Sequence, residues 1–216
     1  MTLLLVRHGE STGNAERLIQ GWLDVPLTPL GRRQAAAVAA RLASAGASAL
    51  YSSPLRRARE TADAVAAATG LAVVELDALR EYHFGEAQGL RYADAAARWG
   101  RAERGWGVGP VPGEEGLPAF RARVGAGIVE LATRHDTDIA IAVMHGGVLG
   151  AIVAELCALP HDVYAQVYAA NCGLTTLVRE QGRDVIAAYN DHCHLDGTEA
   201  HVDERADELR RVDRAS

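Results

Sequence analysis

The chain has 216 residues, 49% of them apolar, 23% charged and 5% aromatic, which suits one core of ordinary size and a single main domain. Its formal charge of −6 combines scattered acids with 22 basic residues, every one an arginine. That excludes lysine Schiff-base chemistry, a lysine-bearing phosphate loop and any general attraction to nucleic acid or an anionic membrane. No apolar run reaches the roughly 18 residues that span a bilayer. Met1 to Val6 is too short for a secretion signal before Arg7. Cys157, Cys172 and Cys193 are odd in number and far apart, which fits neither a disulfide framework nor a zinc knuckle. These features predict a soluble, cytoplasmic α/β protein.

In chain order, residues 2–6 read as a buried strand. Thr28 and Pro29 supply an N-cap and a first-turn proline for a helix that carries Ala35, Val38, Ala39 and Leu42 on one face. Residues 49–52 form a second strand, and Ser53-Pro54 repeats the cap-plus-proline start. The next helix places Leu55, Ala58, Ala62, Val65 and Ala66 at 3–4 spacing and stops at Gly70. A third strand is expected over 71–76, then an irregular stretch over 77–116 with one helix near 93–99. Leu117, Phe120, Val124, Ile128 and Leu131 mark a long amphipathic helix. The continuously apolar run 139–144 suits a strand covered on both faces, followed by a helix over 148–156. Residues 174–178 and 185–189 read as a hairpin around Gln181-Gly182. In the charged tail, 196–216, the stripe of Val202, Ala206, Leu209 and Val212 predicts a terminal helix packed on the domain or on a second subunit of a homodimer.

Two segments share one local grammar of strand, histidine and glycine: Leu3 to Gly9 and Ile141 to Gly147. Ligands of α/β sheets bind beyond the carboxyl ends of the strands, where His8 and His145 would both stand. Arg7 adjoins the first histidine, and Arg57 lies in the first turn of the Pro54 helix. Guanidinium forks match phosphate oxygens in pairs, and a helix N-terminus favours an anion. Two arginines, two imidazoles and the Gly146-Gly147 amides therefore suit a dianionic phosphoryl group. A neutral imidazole can attack phosphorus, and the departing alkoxide then needs a proton from a carboxyl group. Glu10, Glu81 and Glu86 are the candidates.

The run Arg7-His8-Gly9-Glu10, followed by Asn14, resembles the RHGE…N signature of the histidine phosphatase superfamily, in the branch that contains cofactor-dependent phosphoglycerate mutase. Residues 20–28 (QGWLDVPLT), 53–62 (SPLRRARETA), 79–85 (LREYHFG), 144–147 (MHGG) and Asn190 with His194-Leu195 are similar to further family motifs, in the family's order. The resemblance covers about residues 2–195. It implies a three-layer α/β/α sandwich with a mostly parallel central sheet, and a histidine phosphatase domain over 1–195. It also implies that His8 is the phosphorylated nucleophile and Glu81 the proton donor. Arg7, Arg57 and His145 would bind the phosphoryl group, assisted by Asn14 and Gly146, with Gln20 and Gly21 lining the mouth. No metal or other cofactor is implied, and the partner is a small phosphorylated metabolite.

Mutases of this family hold their substrate's second anionic group with a lysine and an arginine pair. Tyr92 stands two residues after Leu90 where that lysine would fall, and only Arg101 and Arg104 offer partial substitutes. The expected activity is therefore hydrolysis of small sugar or glycerate phosphates, with a 2,3-bisphosphoglycerate-dependent mutase as the alternative. Tyr82, Phe84, Tyr92, Trp99 and Trp106 are expected to shape the entrance. The run Pro112 to Gly116 departs from the family's PGGES and leaves Glu115 without a role.

Three rival readings are weaker. Gly9-Glu10-Ser11-Thr12-Gly13 spells the serine-esterase G-x-S-x-G, but no earlier strand precedes it to supply an oxyanion loop. In Asp191-His192-Cys193-His194 strand alternation would let only His192 and His194 converge on a metal. A binding module that has lost turnover would not be expected to keep nucleophile, arginines and acid together.

Overall fold

The computed structural model describes residues 1–101, 106–165, 167–180 and 182–196. The expected terminal helix, Arg104 and Gln181 lie outside the described residues. In chain order the elements are β1 (Thr2–Arg7), α1 (Thr12–Ala15), α2 (Pro29–Leu42), β2 (Ala49–Ser52), α3 (Arg56–Thr69), β3 (Val73–Glu75), α4 (Tyr92–Trp99), α5 (Leu117–Arg134), β4 (Ile139–Met144), α6 (Gly146–Leu156), β5 (Leu174–Glu180) and β6 (Arg183–Asp191). Among the described residues no helix is long and apolar enough to cross a membrane.

The strands form one sheet in the order β3-β2-β4-β1-β5-β6. The first four pair in parallel, and β5 alone runs against the rest, pairing antiparallel with β1 and with β6, so the sheet is mostly parallel. Alternation along each buried strand feeds two cores. Leu3, Leu5, Ala140, Ala142 and Met144 pack with α5 and α6, whereas Val6, Ile141 and Val143 pack with α2 and α3. Helices thus cover both faces, giving the three-layer α/β/α sandwich. Because Arg7 lies opposite Met144 in the β1–β4 register, the residues that follow, His8 and His145, leave neighbouring strands at one level.

Helix starts depart from the sequence expectation at one instructive place. Thr28 caps α2 as its type predicts, its hydroxyl accepting the Gly31 N–H at 3.0 Å. Ser53, however, does not cap α3: Leu55 is the N-cap residue, and the free N–H of Arg56 donates to Asp24 Oδ1 at 2.8 Å. The cap comes from a loop more than thirty residues upstream, while Ser53 Oγ accepts the Leu55 N–H at 3.3 Å and bonds His145 Nε2 at 2.8 Å. Ser11 and Asn14 form a capping box around the single-turn α1, an element absent from the periodicity because four residues show none.

The segment between β3 and α5 also differs. Tyr82 and Trp106 are buried, and Tyr82, Phe84, Trp106 and Phe120 meet edge to face at centroid separations of 4.8–5.4 Å. Tyr92 and Trp99 pack against the same cluster, and the Tyr92 hydroxyl donates to Gly107 O at 2.8 Å. Of the five aromatics expected at the entrance, Tyr82 and Trp106 are therefore core, and Phe84, Tyr92 and Trp99 are partly buried against it. In a segment with little regular structure, ring burial supplies the cohesion that ladders and helices supply elsewhere.

Candidate active site

The carboxyl ends of β1 and β4 carry two histidines whose ring centroids are 5.0 Å apart. Gly9 follows His8 because the backbone runs against α2: a Cβ there would meet Gly31 O at 2.5 Å. His8 Nδ1 bonds Gly9 O at 2.7 Å. A carbonyl only accepts, so Nδ1 carries the proton and Nε2 keeps its lone pair. Burial first, then the charges of Arg57 and Arg7, hold the His8 pKa well below its ordinary value, so the ring is neutral at neutral pH. His145 is lowered for the same leading reason, with Arg57, His8 and Arg7 contributing. Its Nε2 shares a hydrogen bond of 2.8 Å with Ser53 Oγ, and its Nδ1 is buried without a hydrogen-bond partner among the described residues.

Arg57 lies between these rings and the 20–24 loop. Its Nε donates to His8 Nε2 at 3.2 Å, Nη1 to Leu23 O at 3.0 Å and Nη2 to Gly21 O at 2.8 Å. The side chain is 1% exposed and has no salt-bridged carboxylate among the described residues. Burial lowers its pKa to about 10, which leaves it charged at neutral pH. Arg7 sends Nη1 to the carbonyl of Ala169 and brings Nε within 3.8 Å of where a Gly146 Cβ would stand.

Of the three candidate carboxylates, only Glu81 reaches the strand ends. Its Oε2 accepts the Gly147 N–H at 3.0 Å and its Oε1 the Tyr82 N–H at 2.9 Å. Glu10 takes the Thr28 hydroxyl at 2.7 Å, and Glu86 pairs on the surface with Arg98 at 3.0 Å. Gln20 and Gly21 are held by other bonds: Ser11 Oγ donates to Gln20 Oε1 at 2.7 Å, and Gly21 O accepts from Arg57 Nη2 at 2.8 Å. In the capping box Asn14 Oδ1 accepts the Ser11 N–H at 3.1 Å, and Ser11 Oγ accepts the Asn14 N–H at 3.2 Å. Gly146 opens α6 directly after His145.

Some residues at the site carry no signal in the sequence on their own. Trp22 donates Nε1 to Glu81 O at 2.7 Å, packs under Arg80 at 4.7 Å and remains 37% exposed, so it forms part of the rim that the buried aromatics do not. Asn171 Nδ2 donates to His8 O at 2.9 Å. Glu115, left without a role by the motif, forms a bidentate pair with Arg123 at 2.8 and 2.9 Å. The 191–194 run also behaves differently from strand alternation. β6 ends at Asp191 and a 3₁₀ turn follows, so Asp191, Cys193 and His194 converge to within 4.8 Å, rather than His192 and His194. Within that turn Asp191 Oδ1 accepts the Cys193 N–H at 3.1 Å, the arrangement of a capping carboxylate.

A family model of the histidine phosphatase superfamily, branch 1, matches residues 3–192. The chain belongs to that family. It is 31% identical over 220 residues to a probable phosphoglycerate mutase, GpmB, of Salmonella paratyphi C, covering 98% of this chain and 100% of the relative. Among solved structures it is similar to a mycobacterial glucosyl-3-phosphoglycerate phosphatase, with a TM-score of 0.77 and 30% identity over 88% of this chain and 99% of the other. It is also similar to a mutant phosphoserine phosphatase of Entamoeba histolytica in complex with phosphoserine, at TM-score 0.76 and 25% identity, covering 90% and 98%. Histidine phosphatase relatives thus include both phosphatases and mutases.

Proposed function

We propose that this histidine phosphatase is a metal-independent phosphomonoesterase that works through a phosphohistidine on His8. One observation carries the reading: a buried guanidinium, Arg57, has no carboxylate in salt-bridge contact among the described residues, the charges of Glu81 and Asp24 acting on it only from a distance, yet it donates to the lone pair of a neutral histidine. A buried charge is retained at a cost of several kcal/mol unless something pairs with it. A phosphoryl dianion between Arg57, Arg7 and His145 would be that partner, and the orphaned Nδ1 of His145 would face one of its oxygens.

In the reaction, Arg57 Nε gives up the His8 Nε2 lone pair for an oxygen of the phosphoryl group, and that lone pair forms a bond to phosphorus as the ester P–O bond breaks. The leaving oxygen takes the proton of the Glu81 carboxyl group. Glu81, now a carboxylate, removes a proton from water while that water's oxygen attacks the phosphohistidine, breaking P–N and releasing phosphate. The arginines supply the charge stabilisation, already fixed in place by Gly21 O, Leu23 O and Ala169 O. Small phosphorylated metabolites, such as sugar or glycerate phosphates, are the substrate class.

Hydrolysis is favoured over transfer because Tyr92, at the position of the mutase lysine, points into the aromatic core and bonds Gly107 O. The likeness to the Salmonella mutase keeps the 2,3-bisphosphoglycerate-dependent mutase as the second reading. The test is turnover of p-nitrophenyl phosphate and of a panel of phosphorylated metabolites in EDTA, with and without 2,3-bisphosphoglycerate, alongside acid-quench labelling. Wild type should release phosphate without metal and trap an acid-labile phosphoenzyme that His8→Ala does not form. Activity that needs a divalent ion, or undiminished turnover by His8→Ala, would overturn the proposal.

A further inference from the structure

We infer that Glu115 and Arg123 form a brace that fixes where Glu81 holds its carboxyl group, and so act as positioning residues for proton transfer to the leaving group. The inference rests on Glu81 being that proton donor.

Glu81 sits between two short 3₁₀ turns, Asp77–Leu79 and Gly85–Ala87, where neither ladder nor helix holds the backbone. What holds it comes from α5. Arg123 Nη1 donates to the carbonyls of Asp77 at 3.2 Å, Ala78 at 3.0 Å and Arg80 at 3.0 Å, and Nη2 donates to Glu81 O at 3.3 Å. Four carbonyls of one loop thus converge on one guanidinium. The other edge of the fork meets Glu115, Nε to Oε1 and Nη2 to Oε2. Glu115 in turn grips the far side of Glu81: its Oε2 accepts the His83 N–H at 3.3 Å, and its own N–H donates to His83 O at 2.9 Å. The loop is clamped on both sides of the residue that has to move a proton.

Two features distinguish this pair from a surface ion pair. It is bidentate, and its side chains are only 22% and 15% exposed, so the charges are partly shielded from water. Its geometry also needs the planar fork, since a lysine ammonium cannot span four carbonyls and a carboxylate at once. The hydrogen bonds of Arg123 reach none of Arg7, His8, Arg57 or His145. Arg123 acts on the phosphoryl site only through its charge, which helps to lower His145 and which Arg123→Lys keeps, so loosening the brace should chiefly impair the step that depends on the reach of Glu81 to the leaving oxygen.

Leaving-group dependence separates this role from a merely structural one, because p-nitrophenolate departs without a proton and phenolate departs poorly without one. The experiment compares kcat/KM, which reports steps up to phosphoryl transfer and so leaves out the water attack that Glu81 also serves, on p-nitrophenyl phosphate and on phenyl phosphate for wild type, Glu81→Gln, Arg123→Lys and Glu115→Gln, with unfolding midpoints measured beside them. Arg123→Lys and Glu115→Gln should each lose about tenfold more on phenyl phosphate than on p-nitrophenyl phosphate, a fraction of the full general-acid contribution. Glu115→Gln is isosteric and keeps the test decisive if Arg123→Lys fails to fold. Equal losses on both substrates, or none, in brace variants while Glu81→Gln discriminates would overturn the brace alone. Equal losses by Glu81→Gln itself would remove Glu81 as the donor, and the task of the brace with it.

Discussion

As the proposed nucleophile, His8 owes its readiness to its environment rather than to its residue type. Its neutral form follows from burial and two adjacent guanidinium groups, its unprotonated Nε2 from the Gly9 carbonyl that claims Nδ1–H. Arg57 is held by three acceptors in three directions, two backbone carbonyls and the His8 lone pair. Arg57→Lys keeps the charge but cannot reach all three, so kcat/KM should fall by about 10²–10³, the scale of losing one preorganised donor to a developing charge. Steady-state kinetics on p-nitrophenyl phosphate checks this; a loss under about fivefold would take Arg57 out of the transition state. Arg56, Arg57 and Arg59 stand close together in the sequence of one helix, and only the resemblance to the family motif selects Arg57 among them. The structure shows the reason in physical terms: Arg56 and Arg59 pair with Glu60 and Asp63 in solvent, at 2.7 and 2.9 Å, while Arg57 turns inward.

The helix α6 gives the element-scale case. Its first turn must admit the carboxylate of Glu81, which lies so close that a Cβ on Gly147 would stand 2.1 Å from Oε1 and 2.8 Å from the Tyr164 hydroxyl. Replacing a helical glycine by alanine ordinarily stabilises by about 0.5–1 kcal/mol. Gly147→Ala should instead lower kcat by roughly tenfold or more, because displacing Glu81 disturbs a proton transfer that requires hydrogen-bond reach, while the fold persists. Circular dichroism and kcat on phenyl phosphate measured together test this, and wild-type turnover would show that Glu81 need not occupy the place it has here. Strand and helix positions were legible from periodicity because β1, α2, β2, α3, α5 and β4 each present a long or continuously apolar face. The four-residue α1 and the 3₁₀ turns were not, since elements that short are set by their caps and neighbours.

For the whole molecule, the two buried neutral histidines link stability to pH. Unfolded, each titrates near its ordinary value of 6.5; folded, each is well below it. Above about pH 6.5 neither state binds the proton and this contribution is fully present. As pH falls below that value the unfolded chain protonates first, so stability declines until the folded pKa values are reached. Each histidine contributes a slope of about 1.4 kcal/mol per pH unit across that window. Urea midpoints should therefore drop between about pH 8 and pH 5.5, and drop less in His8→Asn. Equal slopes in the two proteins would contradict a buried neutral His8.

The sequence by itself determined the alternation of strands and helices, the repeated strand-histidine-glycine grammar and the residue types a phosphoryl site needs. Each of these is local: a period of 2 or 3.6, or a motif of a few consecutive residues, is written wherever the element is written. Only tertiary structure decided that Asp24 caps α3, that Arg57 rests on Gly21 O and Leu23 O, that five aromatics turn inward while Trp22 takes the rim, and that Glu115 and Arg123 close around Glu81. Most of these contacts join residues tens of positions apart. They exist because the strand order sets β1 beside β4 and because loops with no periodicity of their own place their polar groups wherever the packed layers leave an unsatisfied partner.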